Sequence, residues 1–332
     1  MQNRYFSRAM MQLGLYRKAI ETYGQAVNEL NLPDKVFAEP MNLIPVAEVS
    51  LWYLELEKLT NDPDFVIKMI KNEKIDKMGP ISHWIFSGSD LATTIRRINT
   101  GISCLQSGAF LAGEKVGPLL KWVYENPSID AKAKTHDSVR IAVFMTKVLR
   151  RYLGTGFNPI RVMLPGTGLN LGIYQDFFQC DIGWNHSKAE IWFNDNERFT
   201  LSHVNVSAKV PLAMSFADLD DLLNMPDPAD EIKVIYETIN YSRHLGVPSV
   251  DNVSRLMGLS KQQFSRRLHS LGINFTTISS YVLSNLAVNL FIRGYSIEQV
   301  SASLGYTHVA SFSRMFKNNR GLTPLQFLDR QH

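Results

Sequence analysis

Apolar residues recur at helical spacing through most of the chain, and near its end the pattern becomes tightly punctuated. From Ser296 to Phe327 the sequence is SIEQVSASLGYTHVASFSRMFKNNRGLTPLQF. Ile297, Val300 and Leu304 fall at i, i+3 and i+7, one apolar stripe of a short helix. Gly305 stands where a tight turn between two helices needs a backbone that tolerates positive φ. A second helix begins at Thr307 or His308 and packs Phe312, Met315 and Phe316 inward. Asn318 to Gly321 ends it, and Thr323-Pro324 predicts an N-cap followed by proline at the first position of another helix. With both phenylalanines inside, a rotation of about 100° per residue puts Ala310, Arg314 and Lys317 on the opposite face, with Ser313 beside them.

The same pattern occurs earlier. Val250, Val253, Ser254, Met257 and Gly258 match Ile297, Val300, Ser301, Leu304 and Gly305 at a constant offset. After one inserted residue, Phe264, Arg266 and Leu268 match Phe312, Arg314 and Phe316. In this copy Ser260 is an N-cap, Phe264, Leu268 and Leu271 form the buried face, and Gln262, Ser265 and Arg266 point outward. Small residues that allow close approach, followed by an exposed Arg, suit entry of a helix into a DNA major groove. An ordinary helical hairpin with a solvated Arg explains one copy but not two with equivalent arginines. A helical repeat array is opposed by the different helix, Ile278 to Arg293, that joins them.

Upstream the pattern predicts helices over 5–30, from Pro45-Val46 to Leu59, over Phe65–Ile70, over Leu91–Ser103 behind a Ser89-Asp90 cap, and from Thr135 or Asp137 to Tyr152. The texture then changes to short β-prone runs at 160–164, 180–184 and 189–193, separated by turn residues. The stretch 104–126 is open between sheet edge and loops, and a last short helix is predicted over 215–223. Gly79-Pro80 is a break. The fold class is therefore an α+β N-terminal domain over 1–223, a Pro-rich acidic linker over 224–230, and an all-α domain over 231–332 with two helix-turn-helix motifs.

At 332 residues, 45% hydrophobic and 20% charged, the composition is that of a folded two-domain protein. The net charge is +4, unevenly spread: residues 230–332 hold 11 Lys+Arg against 6 Asp+Glu, leaving 24 against 25 elsewhere. All the surplus positive charge thus lies in the helix-turn-helix region, as expected of a nucleic-acid module. No run approaches about 18 uninterrupted apolar residues, and the charged start MQNRYFSRAM lacks an apolar signal core. Cys104 and Cys180 are expected to be buried free thiols.

Other candidate chemistry is weaker. Gly166-Thr167-Gly168-Leu169-Asn170-Leu171-Gly172 is GxGxxxG with no Walker lysine, and a loop or strand is expected after it, so it reads as a turn rather than a phosphate loop. His186 and His203 have no metal-site spacing, neither cysteine sits in a nucleophile pattern, and no catalytic residue, cofactor or metal is assigned. Trp84, Phe86, Trp184, Trp192 and Phe193 are core or pocket aromatics. Arg140 and Arg161 are surface or structural ion-pair residues before they are effector ligands.

Residues from about 231 to 330 resemble the DNA-binding domain of the AraC/XylS family of bacterial transcription regulators. The resemblance rests on Ser296-Ile297, Leu304-Gly305-Tyr306, the run Ser311, Phe312, Ser313, Arg314, Phe316 and Lys317, and Gly321-x-Thr323-Pro324, with Ala287 before Leu290-Phe291 fitting the linker helix. Leu283 departs from the Arg usual on that helix, and Leu328-Asp329 interrupts the common aromatic-Arg ending; both departures are expected to touch surface or promoter details. Less closely, the first domain is similar to the arabinose-binding-like N-terminal domain of AraC-type regulators, through Asn61-Asp62-Pro63-x-Phe65, Gly79-Pro80-Ile81, Leu91 to Arg97, and AEIWFND with Pro211-Leu212 downstream. The resemblance implies a cytoplasmic, homodimeric, non-enzymatic transcription regulator that binds double-stranded promoter DNA and contacts RNA polymerase if it activates. Gln262 and Arg266, with Ala310, Ser313 and Arg314, are the expected base-facing residues; Ser265 is a DNA-binding candidate on the same outward face, and Lys261, His308 and Lys317 are expected at phosphates. The first domain would sense an unidentified small-molecule effector, or alternatively serve only dimerisation or protein–protein contact.

Overall fold

Two units divide the chain in this computed structural model: Tyr5–Met225, and Pro226–His332 together with Met1–Arg4. Residues 3–75, 80–201, 219 and 222–330 are described.

The N-terminal unit begins with a strand where a helix is expected. β1 (Phe6–Arg8) pairs antiparallel with β2 (Leu43–Pro45), and α1 follows only at Met10–Tyr23. Burial decides this. Phe6 is fully buried, and the buried Arg8 guanidinium donates to the carbonyls of Cys104 and Met41 at 2.9 and 2.8 Å, contacts no local periodicity reveals. α2 (Val46–Thr60) buries Val46, Val49, Trp52, Tyr53 and Leu56 and stops at Asn61 in the left-handed region. α3 (Phe65–Ile70), α4 (Pro80–Phe86) and α5 (Leu91–Leu105) follow, the last capped by the Asp90 carboxylate, which accepts from the Thr93 N–H at 2.6 Å. Gly79 of the expected break lies outside the described residues.

The open stretch resolves into a hairpin, β3 (Phe110–Val116) and β4 (Leu119–Glu125), turned at Gly117 with φ +58°. α6 (Lys134–Leu153) crosses back, and β5 (Arg161–Met163), α7 (Leu171–Phe178), β6 (Asp181–Gly183) and β7 (Ala189–Asn194) complete the unit. The sheet order is β3-β4-β7-β5-β6, antiparallel except for β5 with β6. Trp122 of β4 stands opposite Ile191 of β7, and α6 packs over both strands. Trp122, Ile191, Phe193 and Val162 are fully buried there, so Phe193 is core, while Trp184, Trp192 and Phe86 are half-buried.

α7 corrects the reading of the glycine-rich loop: a helix does follow it. The loop nevertheless offers no free anion site at Leu169 and Asn170, because the Asp64 carboxylate accepts from their backbone N–H groups at 3.3 and 2.7 Å and from the Tyr174 hydroxyl at 2.9 Å. Arg140 is a structural ion-pair residue, 2.7 Å from Asp137 and also donating to Tyr53, the Met11 carbonyl and Gln106. Tyr124 donates to the other Asp137 oxygen at 2.5 Å, which satisfies the buried charge from both sides. Arg161 is exposed. The cysteines are free but half-buried, because each lies at the end of an element or in a turn rather than in the core. Of the helix expected over 215–223, Leu219, Leu222 and Leu223 are helical; the rest, with His203 and Pro211-Leu212, lies outside the described residues.

The C-terminal unit is all helical: α8 (Glu231–Ser242), α9 (Val250–Leu256), α10 (Lys261–Ser270), α11 (Phe275–Ile292), α12 (Ile297–Ser303), α13 (Val309–Arg320) and α14 (Pro324–Asp329). α11 starts three residues before the expected Ile278 because the Asn274 side chain accepts from the Thr277 N–H at 2.8 Å. It packs against α8 near its start and against α12 and α13 further along. Among the described residues it is the one helix long and apolar enough to cross a membrane, and its Ile278, Val282, Ala287 and Phe291 are buried inside this unit. Leu283, read as a surface departure, is 2% exposed and belongs to the core formed with Val300, Leu304, Phe312 and Phe316. Leu328 packs on that core as well. Leu283 and Leu328 are therefore packing residues, while Asp329 is exposed.

Candidate nucleic-acid interface

Each helix-turn-helix is assembled by the same three devices. The first is a capped opening helix: Ser249 accepts from the Asn252 N–H in one unit, and Ser296 forms a reciprocal capping box with Gln299 in the other. The second is a glycine turn. Gly258 and Gly305 have φ of +66° and +85°, the conformation expected of them. The third is a buried aromatic anchor, Phe264 on α10 and Phe312 with Phe316 on α13, all fully buried.

These anchors turn the opposite faces of α10 and α13 outward. Lys261, Gln262, Ser265 and Arg266 are exposed on α10; His308, Ala310, Arg314 and Lys317 are exposed on or before α13, and Ser313 is half-exposed. Met315 and Leu271, placed inward from sequence, are half-buried. Among the described residues Arg266 and Lys317 have no hydrogen-bond or ion-pair partner, and Arg314 only reaches Ser311 Oγ at 3.5 Å. Their donors are thus free for an incoming acceptor. Lys261 differs: it is ion-paired with Asp251 on α9, a partner that sequence spacing does not reveal because it lies on the preceding helix. Arg320, which the sequence reading passed over, reaches back from the end of α13 to Asn285 on α11 and ties the second motif to the connecting helix.

The two recognition helices begin differently. Ser260 caps α10 in a capping box with Gln263, whereas His308 flanks α13 with no side-chain hydrogen bond to it. At its far end α13 closes on Gly321 in the left-handed region, and Thr323 caps α14 with Pro324 at the first position, as the sequence predicts. Phe291, Phe316 and Phe327 then stack edge to face, fixing α13 against α11 and α14. Among the described residues no three His, Cys, Asp or Glu side chains converge on a metal-binding position.

Two family models match this chain. One, for a helix-turn-helix domain, covers residues 253–330. The other, for the arabinose-binding domain of AraC transcription regulators, covers residues 23–197, more than half of the chain. The chain belongs to the AraC-type transcription regulators. It is therefore a regulator with a helix-turn-helix DNA-binding domain and an arabinose-binding-like N-terminal domain. Among AraC-type and related proteins, the uncharacterised HTH-type regulators Mb1430 of Mycobacterium bovis and Rv1395 of Mycobacterium tuberculosis are each 32% identical over 81 residues. That match spans about a quarter of this chain and of theirs, 24% in each case. The HTH-type regulator VqsM of Pseudomonas aeruginosa is 22% identical over 321 residues, covering 83% of this chain and 96% of VqsM. The crystal structure of the transcriptional regulator CdpR from Pseudomonas aeruginosa aligns over 83% of this chain and 90% of its own, with 16% identity and a TM-score of 0.38.

Proposed function

We propose that this regulator binds a specific promoter site with α10 and α13 in successive major-groove segments, centres about 34 Å apart on one face of the duplex. Gln262 and Arg266, with Ala310, Ser313 and Arg314, read base edges, with Ser265 beside them on the same DNA-facing surface; Lys261, His308 and Lys317 hold phosphates. The observation that carries this reading is the pair of equivalent, exposed arginines on two helices anchored by buried phenylalanines. The +5 balance of residues 230–332 supports the same surface electrostatically.

The domain boundaries we propose are 1–223, 224–230 and 231–332. The N-terminal domain responds to a small-molecule effector, and the protein acts as a cytoplasmic homodimer, in contact with RNA polymerase where it activates. The reading assigns it no catalysis and no cofactor. A salt-titrated binding assay of the full-length protein on its own promoter DNA, against scrambled competitor, tests the core of the proposal. The expected result is a specific complex with a steep negative salt slope. Sequence-blind binding alone would overturn it.

A further inference from the structure

In the N-terminal unit, α1, α3, α4, α5 and α6 line a partly open cavity of about 120 Å³. Its wall is mostly aliphatic, with Leu15, Ile85, Ile98 and Ile102 among the lining residues and Trp84 at one side. A dry apolar cavity of about 150 Å³ takes up a molecule the size of benzene, which sets the scale of an occupant.

Three cations in this lining, Lys74, Arg97 and Lys147, have no carboxylate within ion-pair distance among the described residues, and of these Lys74 is exposed while Arg97 and Lys147 are half-buried. Lys147 on α6 donates from Nζ to the carbonyls of Ile70 and Glu73, both at 2.5 Å. Arg97 on α5 lies 5.7 Å from the centre of the Trp84 ring and donates to the Trp84 carbonyl and Ser87. Neither lies within ion-pair distance of an acid among the described residues, and Glu73, the acid in the wall, meets Lys147 through its backbone carbonyl. Arg140, also in the wall, is matched by Asp137. The carbonyls of Ile70, at the end of α3, and Glu73, in the turn after it, account for two of the Lys147 N–H groups and leave the third unused.

We infer that this cavity binds a small apolar monocarboxylate of roughly benzoate size, its hydrocarbon against the Trp84 and Ile98 wall and its carboxylate on Lys147 and Arg97. The assignment rests on the effector-sensing reading and gives it a ligand class. Burial, partly offset by the Glu73 carboxylate and reinforced by Arg150, brings the Lys147 amine down to about 8. Lys147 therefore loses its charge as the pH rises through that value; Arg97, Arg140 and Lys74 are the other basic residues in the wall.

The test is calorimetric titration of the full-length protein with phenylacetate and with phenylacetamide, its neutral counterpart, repeated on Gly14→Leu and Lys147→Met. Gly14 is exposed at the mouth of the cavity, and a Cβ there meets nothing within 4 Å, so a leucine fits at the entrance without displacing a neighbour. Phenylacetate is expected to bind with a dissociation constant at or below about 1 mM, about tenfold more tightly than the amide, a 1.4 kcal/mol preference. Gly14→Leu, at the entrance, should weaken both, Lys147→Met should bring the acid down to the level of the amide, and the wild-type preference should decline as pH rises through about 8. No saturable phenylacetate binding, equal binding of acid and amide, or an unaltered Gly14→Leu protein would overturn the assignment. Promoter binding measured on the same samples separates the two readings: if it persists while phenylacetate fails, only the ligand assignment falls. Should Lys147→Met unfold, the amide comparison and Gly14→Leu still decide.

Discussion

Gly305 sits against the backbone of the loop before α9, so that a Cβ at that position would lie 2.8 Å from the Val247 nitrogen. Its φ of +85° adds a second reason for glycine. Gly258, the equivalent turn residue of the first motif, has a φ of +66°, but its Cβ would meet only the movable amide of Asn3, at 2.9 Å. Gly258→Ala should therefore cost about 1–3 kcal/mol from backbone strain alone. Gly305→Ala should cost more, because backbone has to move as well. Urea unfolding of the two variants checks the order, and equal losses would contradict the close-approach argument.

Arg266→Ala and Arg314→Ala are each expected to weaken promoter binding by about 1–3 kcal/mol and to relax sequence preference locally. Lys317→Ala should instead weaken binding to all sequences alike and reduce the salt slope by about 1. Competition footprinting across a salt series distinguishes these outcomes.

Phe316 is fully buried, with ring centres 5.8 Å from Phe291 and 5.6 Å from Phe327. Removing the ring leaves a cavity where three helices meet. Phe316→Ala should destabilise the C-terminal unit by about 3–5 kcal/mol. Thermal unfolding followed by helical circular dichroism would show an unchanged transition if the recognition helix were not anchored here.

The buried Asp137–Arg140 pair predicts an asymmetric response to mutation. Asp137→Ala strands a buried guanidinium and should cost about 3–5 kcal/mol. Adding Arg140→Met removes the stranded charge, so the double variant should lose much less than the sum of the two single ones. Additive losses in a double-mutant cycle would show that the two side chains do not act as a pair.

His136 gives a pH signature. Burial holds its imidazole below the usual value of 6.5, outweighing the Glu57 carboxylate 2.8 Å from Nε2. The unfolded chain then binds the proton more readily than the folded one. Stability from this residue is complete above about pH 6.5 and declines as the pH falls toward the folded-state value. Thermal melts across that range should slope less in His136→Gln, and an identical slope would mean that other groups set the acid limit.

Local signals were enough for the C-terminal unit. Ser260, Gly305, Thr323 and Pro324 act on their immediate neighbours, so their spacing alone places the motifs. The N-terminal unit depends on distant partners, and there the sequence was less informative. Phe6 and Arg8 look helical until β2 and the Cys104 carbonyl supply their partners. α7 has no side-chain cap on Asn170, and what organises its start is Asp64, far earlier in the chain. Lys147 and Arg97 look like ordinary surface cations on amphipathic helices until the cavity wall brings them together. The outward faces of α10 and α13 were legible because a single helical period fixes them; the Lys261–Asp251 pair was not, since it joins two helices.

The pairing of Trp122 with Ile191 also bears on how the polypeptide is made. While β4 leaves the ribosome, its sheet partner β7 has not been synthesised, and the hairpin and α6 emerge with one edge of β4 unpaired. Such non-local pairing is slow and exposes sticky surface to neighbouring nascent chains. The helices of the C-terminal unit follow one another in sequence and close on near neighbours as they appear. Chaperone demand during synthesis should therefore peak before residues 189–194 emerge, and translational pausing upstream of β7 should lower the yield of native protein far more than pausing within the helix-turn-helix region.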